Sequence, residues 1–155
     1  MKTTILLVTV LVSLHSLAQS QTDSTLLFES AKGTLSHPVN GFTKLVNYDS
    51  VKYGFGCPHY PGNTYFLDHT DTARAIFEGK IVSVFNVGDV YAIITKFGKY
   101  YIVYSGLTKP SLSKGEYIHK NHPLGTLYDD GEYKYSLELM ISRQDRYVDP
   151  MNWVR

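Results

Sequence analysis

The residues of this chain that could do chemistry are few, and they gather in one stretch. Asp68-His69-Thr70-Asp71, with His59 upstream, mixes imidazole and carboxylate, a legitimate ligand set for a hard or borderline metal ion. Neighbours on a strand point to opposite faces, however, so Asp68 and His69 cannot both chelate inward without a bulge. A solvated loop in which Asp and Thr cap backbone groups accounts for the same letters. Cys57 with His59 suggests a nucleophile and its base, but two residues separated by Pro58 rarely face each other, and no basic surroundings would stabilise a thiolate. An idle thiol is the simpler expectation. Glu78 and Glu138 could be paired as acid and base, yet Glu78 sits in a turn. His119 and His122 flank the turn residues Asn121 and Pro123 and are expected at the surface without a ligand role.

The elements that would position these residues read as strands. From Ala73 to Leu107, β-branched and aromatic runs are broken at Glu78-Gly79, at Asn86 to Asp89 and at Phe97-Gly98-Lys99, which predicts an antiparallel meander. Val90 to Thr95 and Tyr100 to Tyr104 are almost wholly apolar or aromatic, so both of their faces are expected to be covered, with Ile93, Ile102 and Val103 buried. Phe42 to Tyr48, Asn63 to Asp68, Glu116 to His119 and Tyr133 to Ile141 supply further strands. Tyr53 to Gly62 has loop chemistry, and Asn121 to Gly125 and Asp129-Asp130-Gly131 read as turns. Trp153 is expected to tuck the terminus onto the body. Many short strands divided by turn signals predict an all-β sandwich or open barrel.

The first twenty residues read as targeting. Lys2 is followed by the apolar run Ile5 to Leu14, too short to span a bilayer, and then by small residues around Ala18, as in a secretory signal peptide. Secretion across the inner membrane to the periplasm or beyond is the expectation, with no transmembrane segment left after cleavage. Residues 21–32 read as a polar linker and 33–155 as one domain. Without Lys2 the chain carries 14 Lys+Arg against 14 Asp+Glu, which speaks against nucleic acid as a partner. A single cysteine excludes an internal disulfide and a multi-cysteine zinc site.

Five segments in order resemble the lysostaphin and LytM type of zinc endopeptidase, whose domain is the duplicated hybrid motif and which cuts peptide cross-links in peptidoglycan. They are Gly33-x-Leu35-x-x-Pro38-Val39-x-Gly41, with His37 where a Trp is common; Arg74-Ala75-Ile76-Phe77-Glu78-Gly79-Lys80-Ile81-Val82; and Tyr104-Ser105-Gly106-Leu107. Lys114-Gly115-Glu116-Tyr117-Ile118 with Leu124-Gly125, and Leu137 to Pro150 with Trp153, complete the set. The resemblance implies that family's antiparallel β fold from about Gly33 to Val154.

It also implies that the zinc has been lost. The family holds zinc with His and Asp of an H-x-x-x-D segment and with the His of an H-x-H segment, leaving an open position for the attacking water. The H-x-H positions here are Ser136-Leu137-Glu138, and the His of Y-x-H-L is Gly106. An ungapped correspondence places Tyr60 at the first His and Thr64 at the Asp. A gapped one places Thr64 at the His and Asp68 at the Asp. Either way no family histidine ligand remains, so the expectation is a degenerate member with no metal and no cofactor. His59, Asp68 and His69 are the only alternative metal set. The resemblance then points to a binding domain of the cell envelope, with a peptidoglycan peptide or an envelope protein as partner and with Tyr60, Tyr65, Tyr104 and Tyr135 as aromatic faces of the old groove. An active metallopeptidase with unusual ligands and a structural β domain of an assembly are the alternatives.

Overall fold

The computed structural model describes residues 23–47, 62–132, 134–144 and 146–155. Its strands are β1 (Lys44–Asn47), β2 (Asn63–Leu67), β3 (Thr72–Arg74), β4 (Gly79–Val87), β5 (Val90–Phe97), β6 (Tyr100–Leu107), β7 (Tyr117–Ile118), β8 (Pro123–Thr126), β9 (Tyr135–Arg143) and β10 (Arg146–Val148). The main sheet runs β1-β2-β9-β6-β5-β4-β7 with β10 also on β9, and β3 and β8 form a separate two-stranded ribbon. Every strand pair is antiparallel. The architecture is the all-β, open antiparallel arrangement that the strand pattern predicts.

The predicted meander is β4-β5-β6, joined by tight turns at Gly88 and Gly98. β9 then inserts between β6 and β2, which places the last long strand at the centre of the sheet. Along β9, Leu137, Leu139 and Ile141 are buried while Ser136, Glu138, Met140 and Ser142 alternate to the other face, the period of two that a strand imposes. Tyr65, Ile102, Tyr104, Ile81 and Ile93 join the buried row, and one core cluster links them to Ala73 and Leu124 of the ribbon and to Phe28 and Trp153.

The structure corrects three expectations. Residues 21–32 are not simply a linker: residues 23–30 form a helix, α1, whose Thr25 and Phe28 are buried and followed by Ala31 against the core. Phe28 stacks on Trp153 at 5.4 Å and meets Tyr100 at 4.7 Å and Phe77 at 5.0 Å. One aromatic anchor docks a segment that polarity alone marks as solvated. Pro123 to Thr126 is strand β8 rather than part of a turn, and Pro123 stands at its first position, where a missing N–H is tolerated. Val103 is half-buried, because it falls on the outer face between the inward Ile102 and Tyr104. Ile93 and Ile102 are buried as expected. The proposed leader 1–20, most of the loop 53–62 with Cys57, His59 and Tyr60, and Tyr133 lie outside the described residues. Among the described residues no helix is long and apolar enough to cross a membrane.

Candidate functional site

The outer face of the main sheet carries the positions at issue. The registers Phe85↔Ala92, Ala92↔Ser105, Ser105↔Glu138, Glu138↔Thr64 and Thr64↔Val46 set six residues in one transverse row across β4, β5, β6, β9, β2 and β1. Small side chains fill its middle. Phe85 stands exposed at one end, and Glu138 is its single charge. The row beside it is Ile94, Val103 and Met140, so the carboxylate lies next to an apolar strip. Glu138 keeps contact with solvent but is desolvated enough for its pKa to rise above the ordinary carboxylate value.

Thr64 and Glu138 are direct cross-strand partners, as two groups must be if they are to share a ligand. Asp68 lies past the end of β2, is exposed, and pairs at 3.8 Å with Lys134. Four residues of strand, about 13 Å, separate positions 64 and 68. The geometry therefore favours the ungapped correspondence, with Thr64 at the family's Asp and Glu138 at its His. Ser136 faces the same way one row further on, opposite Phe66.

Gly106 is more than a missing imidazole. Tyr91 pairs with Leu107 and Ala92 with Ser105, so Gly106 is the extra residue of a bulge in β6. Its φ is +99°, and a Cβ built there would fall on the carbonyl oxygen of Ser136. Its own carbonyl accepts the Tyr128 N–H at 2.9 Å. A side chain of any kind at this position would push β6 and β9 apart.

The three described tyrosines expected to line the groove, Tyr65, Tyr104 and Tyr135, do not line this face. Tyr65 and Tyr104 are opposite Leu137 and Leu139 and are fully buried on the inner face, and Tyr135 packs against the same core. Their parity follows from β9: residues level with its odd-numbered positions point inward. Tyr104 accepts the Ile76 N–H at 3.0 Å, and burial raises its pKa. The Tyr65 hydroxyl meets His37 Nδ1 at 3.0 Å and Asn63 Nδ2 at 3.5 Å, and burial pushes its pKa up to about 12. His37 also packs edge-on against Phe42 at 5.0 Å, and desolvation lowers its pKa. Asn47 continues this polar chain by donating to Asn63 at 2.8 Å and to Asp149 at 2.7 Å. These contacts brace β1, β2 and the C-terminal segment beneath the face.

The described residues offer the outer face one carboxylate and the hydroxyls of Thr64, Ser105 and Ser136. A catalytic zinc takes three protein ligands of imidazole, thiolate or carboxylate type at about 2.0–2.2 Å, and this set does not fit it. Among the described residues no group of three His, Cys, Asp or Glu gathers elsewhere. Of the alternative set, His59 lies outside the described residues, Asp68 pairs with Lys134, and the exposed His69 lies beside Gly41. His119 is exposed against Tyr117, and His122 is half-buried with its backbone carbonyl bonded to Ala75. Ser105, Ala92 and Phe85 were not singled out from sequence. The alternation Tyr101, Val103, Ser105 along one run was the available signal.

Neither a protein-family model nor a curated protein matches the sequence. Solved structures do match its fold. Csd3 of Helicobacter pylori superimposes with a TM-score of 0.63 at 19% identity, over 78% of this chain and 34% of that one. The SpoIIQ–SpoIIIAH pore-forming complex gives a TM-score of 0.61 at 13% identity, over 77% of this chain and 90% of the matched one. The catalytic domain of lysostaphin from Staphylococcus simulans gives 0.55 at 22% identity, over 70% of this chain and 89% of that one. The chain spans about a third of the length of Csd3. It has the lysostaphin/LytM-type β fold. Within that fold, the described positions equivalent to the zinc ligands form a degenerate set.

Proposed function

We propose that the chain is a secreted, non-hydrolytic LytM-type domain that works by binding in the cell envelope. The observation that carries this reading is the pairing of Thr64 with Glu138 beside a bulge at Gly106, an arrangement that puts no histidine at these positions and leaves the sheet intact. The outer row from Phe85 to Thr64 is uncharged apart from one carboxylate, and suits an extended peptide whose amine meets Glu138. Peptidoglycan stem peptides and an extended segment of an envelope protein share that chemistry. The likeness to a chain of the two-protein SpoIIQ–SpoIIIAH complex supports the protein partner, and the likeness to lysostaphin supports the peptide. Export rests on the leader read at residues 1–20, and amino-terminal sequencing of the exported chain should find a start between Gln19 and Gln21.

Co-sedimentation with purified sacculi, a turbidity assay on the same sacculi and elemental analysis after dialysis test the proposal together. Binding without clearing and without stoichiometric zinc is expected. One zinc per chain that survives dialysis, together with clearing abolished by Glu138→Ala, would replace this reading with that of an active metallopeptidase using unusual ligands.

A further inference from the structure

We propose that the pocket between the β5–β6 turn and the β9–β10 turn is an anion-binding site that takes a single carboxylate or phosphate group. The pocket, about 310 Å³, is lined by Lys96, Gly98, Lys99, Tyr101 and Gln144. It lies on the same outer face as Glu138 but two rows away, about 13 Å along the strands. Its chemistry is independent of the binding track described above.

Three features point to an anion. Lys96 and Lys99 are half-buried, and among the described residues neither amine has a carboxylate at ion-pairing distance. Of the two acids of α1, Asp23 makes no ion pair with either amine, and Glu29 is already shared: its Oε1 takes Arg143 at 3.2 Å and the Tyr100 hydroxyl at 2.8 Å. Secondly, Lys80 stands directly across from Lys96 in the β4–β5 register. Like charges opposite each other destabilise a sheet, and a bound anion would relieve that repulsion. Thirdly, these residues meet at one pocket. Lys96 Nζ lies 5.3 Å from the centre of the Tyr101 ring, and Gln144 is held in the left-handed region at φ +56° with its backbone N–H on the Lys99 carbonyl at 3.0 Å, which ties the two turns together. Two lysines, a tyrosine and a glutamine therefore line a volume that suits one small anionic group with its water. Among the described residues the lining has no carboxylate, imidazole or thiol, so the role proposed for the site is to hold the anion.

A carboxylate could belong to a peptide C-terminus and a phosphate to a wall or lipid polymer. The test is an amide-resolved NMR titration of the chain with inorganic phosphate and with acetate, followed by glycerol phosphate and by an acetylated dipeptide as free acid and as amide. Saturable shifts confined to Gly98, Lys99, Tyr101 and Gln144, weakened by added salt, are expected. The double variant Lys96→Met with Lys99→Met should bind at least about tenfold more weakly. Lys109→Met, which removes an exposed lysine outside the pocket, should bind as well as the parent. Tighter binding of glycerol phosphate than of the free acid, or the reverse, identifies the source of the anion. The same double variant should melt at an unchanged or higher temperature, because a repulsion has been removed. Shifts that do not saturate, shifts equal in the double variant, or loss of binding together with a lower melting temperature would overturn the proposal, the last by giving the lysines a structural role.

Discussion

Adding one carbon at position 106 is the sharpest perturbation the structure suggests. At φ +99° an L-residue is strained, which costs about 1–3 kcal/mol. In Gly106→Ala the new Cβ also lands on the Ser136 carbonyl oxygen, a backbone atom that cannot swing aside as a side-chain end could. Relief requires β6 and β9 to separate locally, with loss of one or two ladder hydrogen bonds at about 0.5–1.5 kcal/mol each. The expected destabilisation is about 2–5 kcal/mol, a large share of the roughly 5–15 kcal/mol by which a domain is stable. With a urea slope of about 1–3 kcal/mol/M, the unfolding midpoint should fall by at least about 0.7 M. Ser105→Ala, one residue away on an ordinary strand backbone, is the control and should shift it little. Equal midpoints for the two variants would refute the bulge argument and reopen position 106 to a histidine.

Ile102→Ala, in the middle of the buried row, should cost about 2–5 kcal/mol by chemical denaturation. Phe28→Ala should cost about 3–5 kcal/mol and change Trp153 fluorescence, since the two rings stack. His37 has its pKa lowered below 6.5, so the stability it permits is whole above pH 6.5 and is lost as pH falls toward the folded-state value; His37→Gln should flatten the fall in melting temperature between pH 7.5 and 5.5. Glu138 has its pKa raised above 4.5, so its ionisation opposes folding at neutral pH; Glu138→Gln should raise the melting temperature at pH 7, with the gain vanishing as the pH drops through the folded-state pKa.

The central strands were legible in the sequence because Val90 to Thr95 and Tyr100 to Tyr104 have a composition only a sheet accommodates, and glycines mark their ends. The burial of Val103 was not, since an all-apolar run hides its parity until its neighbour is known. Helix α1 escaped notice because Leu26 and Leu27, its more conspicuous apolar residues, are exposed at 58% and 52%, while Phe28 is its one buried apolar residue. At the site, the replacement of the family's histidines was legible letter by letter. Two things were not: that Thr64 rather than Asp68 stands beside Glu138, which is a matter of register, and that Gly106 belongs to a bulge, which depends on the strand opposite. The tyrosine groove failed for a related reason. Aromatic residues near a cleft in sequence can belong to either face, and three of the four chosen share the inward parity of Leu137.

The clasp between Phe28 and Trp153 sets an order of events. Trp153 donates its indole N–H to the Phe28 carbonyl at 3.2 Å across 125 residues of chain, and Leu35 forms a parallel bridge with Val154. A chain that emerges amino terminus first presents α1 at the start and its partner almost at the end, so α1 must wait unclasped while every strand is made. A contact of such sequence separation must pay its loop-closure entropy before it is rewarded. Until it closes, the segment carrying Leu26, Leu27 and Phe28 is an apolar handle open to whatever escorts the nascent chain.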